Sequence, residues 1–131
     1  WHDAFGHLPL MTNQRYADYV QRFAQHALNY DKTQRKSLGS LWWYTIEFGF
    51  IREGDDFGGI RAFGAGLMSS YGEIKKAFGD TVQREPYSLA AFERIDPSPR
   101  AMHQKLFILE DFDQLEQSVE DWVAHHPQPT T

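Results

Sequence analysis

The chain has 131 residues, 41% of them hydrophobic, and a formal net charge of −5 at pH 7. Because nucleic-acid binding depends on basic patches, this acidic balance argues against a nucleic-acid partner. The absence of cysteine excludes a disulfide framework, a zinc ribbon and a thiolate nucleophile. No apolar run approaches the roughly 20 residues that a membrane-spanning helix needs, and no signal peptide is found. We therefore expect a cytoplasmic protein with no membrane contact.

The N-terminal residues are predicted to end a helix. Residues 1–5 are compatible with the last turn of this helix. Gly6 would end it in a left-handed conformation, and Pro9 would prevent the helix from continuing. Apolar side chains then recur at helical spacing over 13–30, which predicts an amphipathic helix.

A second long helix is predicted from about residue 34 to residue 48. Its apolar stripe is so wide that the helix must be largely buried. Glu47 lies in this apolar stretch, and a buried carboxylate needs a charged partner or a metal ion.

Strand-like sequence follows the second helix. Residues 50–52 and 60–63 flank a segment rich in glycine and aspartate, which predicts a short β-hairpin. Ser70 and Glu73 have the spacing of a capping box and should begin a helix that ends near Phe78.

The last part of the chain is predicted to contain a loop-rich segment, one strand and one helix. Prolines interrupt 79–104, whereas 105–109 is compatible with a short strand and 112–123 with an amphipathic helix. Residues 126–131 are expected to be a flexible tail. The whole pattern predicts one domain, 1–131, that is mainly α-helical with a small β-hairpin.

Two histidines and one glutamate support the sharpest functional hypothesis. His2, His7 and Glu47 offer two imidazoles and one carboxylate, the facial triad of non-haem Fe(II) oxygenases. On a continuous α-helix, residues five apart point about 140° away from each other, so the two histidines would not share a metal ion. Unwinding at Gly6 would supply the missing rotation, because glycine tolerates a positive φ. By itself, the H-x-x-x-x-H spacing is a weak signal.

Three segments strengthen the metal hypothesis because they occur together and in order. They read HDAFGHLPL at 2–10, LWWYTIEFGF at 41–50 and FGAGLMSSYGE at 63–73. These segments resemble motifs of the aromatic amino acid hydroxylases, and most closely those of the compact bacterial enzymes that act on phenylalanine. The resemblance implies the C-terminal portion of that family's catalytic fold, so that 1–131 would be the second half of a longer catalytic domain.

The resemblance also implies iron(II) and a tetrahydropterin as cofactors and assigns roles to individual residues. These are the catalytic metal ligands His2, His7 and Glu47, the tetrahydropterin neighbours Asp3, Gly39 and Trp42, and the substrate-pocket residues Trp43, Gly66 and Ser69. Ser69 would also support an iron-bound histidine. Trp42 stands where the family commonly has tyrosine, and 96–103 lacks the aromatic residues usually seen before the next strand.

The reaction that the resemblance implies is the hydroxylation of phenylalanine to tyrosine with dioxygen, a step of phenylalanine catabolism, by a monomer. An apolar, aromatic-lined pocket suits a flat aromatic substrate. Two alternatives stay open. One is the same chemistry with tryptophan or tyrosine as the substrate, because the pocket residues that decide the substrate would come from the other half of the domain. The other is a truncated relative that holds a metal or acts as a structural module without catalysis.

Overall fold

Helices and short strands alternate along the chain in the computed structural model, which describes residues 1–52, 59–95 and 104–128. The α-helices are α1 (Leu8–Met11), α2 (Gln14–Ala27), α3 (Lys32–Trp42), α4 (Ala65–Met68), α5 (Tyr71–Ala77), α6 (Leu89–Glu93) and α7 (Phe112–His125). The described residues also contain two π-helical turns, the first π-turn at Asp3–His7 and the second π-turn at Trp43–Glu47. Within the described residues, no helix combines the length and hydrophobicity that a bilayer span requires.

The strands form one four-stranded sheet in the order β2-β1-β4-β3. They are β1 (Phe50–Arg52), β2 (Ile60–Ala62), β3 (Gln83–Pro86) and β4 (Lys105–Leu109). β1 pairs antiparallel with β2 and parallel with β4, and β3 pairs parallel with β4. The predicted hairpin is therefore present as β1 and β2. It forms half of a mixed four-stranded sheet, whereas the sequence predicted only a small hairpin and one short strand in a mainly helical domain.

The prediction of a loop-rich segment before β4 is wrong for residues 83–93, which contain β3 and α6. β3 reads Gln-Arg-Glu-Pro and lacks the alternation of apolar and polar side chains that identifies a strand. It forms because its backbone pairs with β4, whose residues 106–109 are buried. Residues 96–103, and the predicted hairpin turn around 54–56, lie outside the described part of the chain.

Side-chain caps set the first residue of most helices. In α2, α3, α5, α6 and α7, a side-chain oxygen of the preceding residue accepts a hydrogen bond from a first-turn backbone N–H. The predicted cap at Ser70 is confirmed, because its Oγ accepts from the N–H of Glu73 at 3.3 Å. α3 begins at Lys32, slightly before the predicted start, because Asp31 caps it.

Two apolar clusters lie on opposite faces of β4, since neighbouring side chains of a strand point to opposite sides. Phe107 and Leu109 pack into the main core, which α2, α3 and α7 also build. Leu106 and Ile108 pack into a second cluster with residues of β1, α4 and α5. The predicted burial of the second long helix is confirmed only for its second half, since no residue of 41–48 is exposed, whereas Arg35, Lys36 and Gly39 are exposed.

The helix at the N-terminus does not end at Gly6, contrary to the prediction. The first π-turn passes through Gly6 into α1, and Pro9 lies in the first turn of α1, where proline is tolerated. Among the described glycines, only Gly59 has a positive φ, at 72°. Gly6 is buried, and a Cβ added there would lie 2.6 Å from the carbonyl oxygen of Ala65. The close approach of α4 is therefore what requires glycine at this position.

His126 anchors the end of α7. Its ring stacks on that of Trp122 with centroids 4.0 Å apart, and its carbonyl accepts a hydrogen bond from the Tyr30 hydroxyl at 2.6 Å. The flexible tail predicted for 126–131 stays a prediction, since residues 129–131 lie outside the described part of the chain.

Candidate metal centre

The two π-turns are the local structures that bring the candidate ligands to one place. Each is closed by a backbone bond from residue i+5 to residue i, as in the 2.9 Å bond from the Phe48 N–H to the Trp43 carbonyl. The extra residue in the turn places side chains five positions apart near one face, which a regular α-helix does not do. His2 and His7 are such a pair across the first π-turn.

His2, His7 and Glu47 converge through three short separations. The Nε2 atoms of His2 and His7 lie 2.9 Å apart. The carboxylate of Glu47 places Oε1 at 3.0 Å from His7 Nε2 and Oε2 at 3.3 Å from His2 Nε2. The predicted triad is thus brought together from three places in the sequence. The Glu47 side chain is only 19% exposed, whereas that of His2 is 46% exposed, so the cluster opens to solvent on the His2 side.

The separations fit those of neighbouring donors in an octahedral metal site, with each oxygen of Glu47 close to one of the two histidines. When donors lie about 2.1 Å from a divalent cation, neighbouring donors of an octahedron lie about 3.0 Å apart. Two imidazole nitrogens and one carboxylate oxygen are also the ligand types that non-haem iron(II) sites use. The residues present therefore match an iron(II) ion in donor type and in spacing.

A hydrogen-bond chain through Ser69 determines which nitrogen of His2 faces the centre. The Ser69 hydroxyl donates to the carbonyl of Ala65 at 2.7 Å, so its oxygen accepts from His2 Nδ1 at 2.7 Å. A neutral His2 that donates from Nδ1 has its lone pair on Nε2, which is the atom that faces His7 and Glu47. This outer contact orients the ring for cation binding.

Replacing Ser69 with alanine is expected to weaken cation binding by about 10–100-fold, because His2 loses the bond that fixes its ring and tautomer. Isothermal titration with Co(II) would measure the change. Ser70→Ala is the matched control, since it removes the adjacent hydroxyl and the cap of α5 but no contact of His2. It should cost about 1 kcal/mol of stability and leave Co(II) affinity unchanged. Equal Co(II) affinity in Ser69→Ala and wild type would contradict the orienting role.

Asp3 offers a second carboxylate near the same two histidines. One of its oxygens and a ring nitrogen of each of His2 and His7 lie within 4.8 Å of one another. Glu47 is nearer, at 3.0 and 3.3 Å from the two rings, and is better shielded from solvent. Glu47 is therefore the stronger candidate for the carboxylate ligand, and Asp3 lies at the edge of the cluster.

The predicted tetrahydropterin neighbours divide between two places. Asp3 lies at the triad, and Trp42 is half-buried beside it, with its ring centroid 6.5 Å from that of His7. Gly39 is exposed on α3, and a Cβ added there would meet nothing within 4 Å. Gly39 instead lines a cavity of 710 Å³ together with Trp43 and Tyr44, and none of the three triad residues lines this cavity.

The predicted substrate residues lie in the second π-turn, in α4 and directly after α4. Gly66 packs so closely that an added Cβ would lie 2.7 Å from Phe48 Cζ and 3.0 Å from the carbonyl oxygen of Glu47. Trp43 packs its ring against Phe48 with centroids 4.3 Å apart. Ser69 contacts His2, as described above. Trp43, Phe48 and Gly66 together form an aromatic wall next to the second π-turn.

Phe48 and Trp1 are neighbours of the site to which the sequence analysis assigned no role. Phe48 is the ring that joins Trp43 to Gly66, and its position directly after Glu47 is the signal that could have identified it. Trp1 is exposed, and its Nε1–H donates to the Ser69 carbonyl at 3.0 Å. No pattern in the sequence indicated this contact.

Tyr16 and Tyr19 are two buried tyrosines of the main core. Burial raises the pKa of Tyr16, and the charge of Glu47 acts in the same direction. Burial also raises the pKa of Tyr19 to about 12. Both phenols therefore stay protonated at neutral pH, and Tyr16 adds no negative charge near Glu47.

Comparison with known families finds a match over the whole sequence. A family model described as "Biopterin-dependent aromatic amino acid hydroxylase" matches residues 1–131. Among curated proteins, the tyrosine 3-monooxygenase of Schistosoma mansoni is 33% identical over 125 residues, covering 93% of this chain and 26% of the relative. The chloroplastic phenylalanine 4-monooxygenase of Chlamydomonas reinhardtii is 35% identical over 119 residues, covering 85% of this chain and 30% of the relative.

Solved structures of bacterial proteins share the fold. Phenylalanine hydroxylase from Colwellia psychrerythraea 34H, in its apo form, has a TM-score of 0.77 and 32% identity, covering 95% of this chain and 49% of that chain. The iron- and phenylalanine-bound phenylalanine hydroxylase from Chromobacterium violaceum has a TM-score of 0.75 and 28% identity, covering 98% of this chain and 50% of that chain. The chain thus spans about half the length of the solved relatives and less than a third of the two curated relatives.

Proposed function

Since the chain belongs to the biopterin-dependent aromatic amino acid hydroxylase family, we propose that it supplies the metal centre of an iron(II)- and tetrahydropterin-dependent monooxygenase that hydroxylates phenylalanine to tyrosine. The observation that supports this proposal is the convergence of His2, His7 and Glu47 at 2.9–3.3 Å. Because the chain spans about half of its solved relatives, the activity is proposed for a protein that also contains the other half of the catalytic domain.

The triad residues would hold the iron through His2 Nε2, His7 Nε2 and a carboxylate oxygen of Glu47. A bound iron(II) ion would supply the site at which dioxygen is activated. The charge of Glu47 offsets part of the charge of the cation, and Ser69 keeps the lone pair of His2 on Nε2 through its 2.7 Å bond to Nδ1. The side of the centre at His2 is exposed to solvent, and dioxygen and the cosubstrate would reach the metal from that side.

The aromatic wall beside Glu47 would bind the ring of the substrate. Trp43 and Phe48 offer ring faces and edges, which suit an aromatic substrate, and Gly66 lets the wall pack tightly against Glu47. Apolar surroundings of this kind also exclude water from a reactive centre. We assign the tetrahydropterin to the side of Asp3 and Trp42, with Gly39 as a more distant contact.

Tyrosine is the second candidate substrate. The Schistosoma mansoni relative at 33% identity is a tyrosine 3-monooxygenase, and the relatives that act on phenylalanine have similar identity. The residues that would distinguish a phenyl from a phenol ring are expected in the other half of the domain. Substrate choice therefore needs an assay of the complete domain.

The proposed function is tested by an anaerobic Fe(II) titration of the chain, followed by a hydroxylase assay on a polypeptide with the complete catalytic domain. We expect one iron per chain, and tyrosine formed from phenylalanine with consumption of tetrahydropterin and dioxygen. Conversion of tyrosine or tryptophan in place of phenylalanine would identify the alternative substrate. If neither the chain nor the complete domain binds iron, and no product forms, the protein would be a non-catalytic relative.

A further inference from the structure

One contact of Glu47 comes from a side chain that cannot bind a metal. The indole Nε1–H of Trp42 donates to Glu47 Oε1 at 3.1 Å. Trp42 lies five residues before Glu47, so the second π-turn brings the two side chains to the same face. Indole nitrogen is a hydrogen-bond donor only, so Trp42 acts on the centre through the carboxylate.

The indole of Trp42 is itself held in place. The ring of Phe23 on α2 contacts it edge to face, with centroids 5.1 Å apart. Phe23 is buried in the main core, so α2 supports the indole and the indole supports the carboxylate. A donor bonded to an ionised carboxylate makes a stronger and shorter contact than a neutral pair does. The bond therefore restrains the rotation of Glu47 about its side-chain torsions.

We propose that Trp42 is a positioning residue for Glu47. Its Nε1–H holds the carboxylate so that both oxygens face the histidines, Oε1 toward His7 at 3.0 Å and Oε2 toward His2 at 3.3 Å. This arrangement raises the affinity of the centre for a divalent cation, because the third ligand is oriented before the cation binds. The inference rests on the proposed metal centre and is separate from any contact between Trp42 and a pterin.

The first test is the affinity of Trp42→Phe for Co(II), measured without pterin or substrate. Phenylalanine keeps an aromatic ring against Phe23 but removes the N–H. We expect Co(II) binding to weaken by about 10–100-fold, which is the range for loss of a contact that orients a ligand. The visible absorption spectrum of bound Co(II) should also change, since a free carboxylate can bind in another geometry. In a Glu47→Ala background, Trp42→Phe should have no further effect on residual binding.

The second test needs no metal and is read from the indole N–H resonances. The chain contains four tryptophans, so four indole signals are expected in a ¹H–¹⁵N spectrum of the metal-free protein. The signal that Trp42→Phe removes should lie downfield in the wild type and move upfield in Glu47→Ala, which removes the acceptor. Trp42→Phe serves only to assign this signal, and the hydrogen bond itself is tested by comparing two proteins that both contain Trp42.

The outcomes separate the inference from the proposed function. If the wild type binds Co(II) and Trp42→Phe binds it within twofold, the positioning role is overturned and the metal centre stands. If the Trp42 signal is the same in wild type and Glu47→Ala, the hydrogen bond is absent and the inference also fails. If the wild type binds neither Co(II) nor Fe(II), the metal centre is wrong and the positioning role falls with it.

Discussion

Replacing Glu47 with alanine is expected to abolish specific binding of a divalent cation. The substitution removes the carboxylate that lies 3.0 Å from His7 and 3.3 Å from His2, and leaves the two imidazoles with Asp3, whose carboxylate lies farther away at the edge of the cluster. Loss of an orienting contact alone weakens metal binding by about 10–100-fold, so loss of a ligand should exceed 100-fold. Isothermal titration with Fe(II) under anaerobic conditions, and with Co(II) in air, would measure the change.

The same substitution should change the stability of the metal-free chain by only about 1 kcal/mol. Glu47→Ala leaves the Trp42 N–H without its acceptor, which costs stability, but it also removes a carboxylate that is mostly shielded from water. Glu73→Ala is the matched control, because Glu73 is also half-buried and lies in the first turn of α5. The control should keep wild-type cation affinity. Wild-type affinity in Glu47→Ala would show that the triad is wrongly assigned.

Replacing Gly6 with alanine is expected to destabilise the fold and the centre together. The new Cβ would lie 2.6 Å from the carbonyl oxygen and 2.9 Å from the Cβ of Ala65, so α4 must move away from the first π-turn. Overpacking of this kind costs about 1–3 kcal/mol. Since Ser69 directly follows α4 and bonds to His2, the shift should also weaken Co(II) binding.

Three further variants separate crowding at Gly6 from a requirement for positive φ. Gly6→Asn should be at least as destabilising as Gly6→Ala, whereas asparagine would be tolerated better if the position needed a left-handed conformation. Ala65→Gly should partly rescue Gly6→Ala, because it removes the Cβ at 2.9 Å but leaves the carbonyl oxygen. Gly72→Ala on α5 is the control, since its Cβ would meet nothing and should stabilise the helix by about 0.5–1 kcal/mol.

Urea unfolding of each variant, followed by far-UV circular dichroism, gives the stabilities to compare. If close approach is the explanation, Gly72→Ala should be more stable than the wild type. The double variant Ala65→Gly with Gly6→Ala should be less stable than the wild type, and Gly6→Ala alone should be the least stable. A Gly6→Ala protein as stable as the wild type would mean that α4 does not press against the first π-turn.

Much of the local structure could be predicted because its cause is local. The helices now seen as α2, α3 and α7 follow from the spacing of apolar residues, and α5 follows from the capping-box spacing of Ser70 and Glu73. The spacing of three motifs also predicted that His2, His7 and Glu47 belong together. The structure brings them to within 3.3 Å of one another, while their role as metal ligands remains a prediction.

Other features depend on contacts between residues that are distant in sequence. β3 has no strand pattern of its own and exists because β4, which is buried on both faces, pairs with its backbone. The predicted hairpin is half of a four-stranded sheet, because β1 also pairs with the distant β4. Strand pairing across such distances leaves little signal in the short segment that it orders.

The reason for glycine at position 6 could not be predicted from the sequence. From the sequence alone, a glycine between two histidines predicted a left-handed break, because freedom of φ is the local property that distinguishes glycine. In the folded chain this glycine lies within a π-turn, and the missing Cβ makes room for Ala65. The motifs in the sequence were enough to identify His2, His7 and Glu47 as the candidate ligands. His2 and His7 reach one face through the first π-turn, which packs against α4 at Gly6, and the contact of both with Glu47 forms only in the tertiary structure.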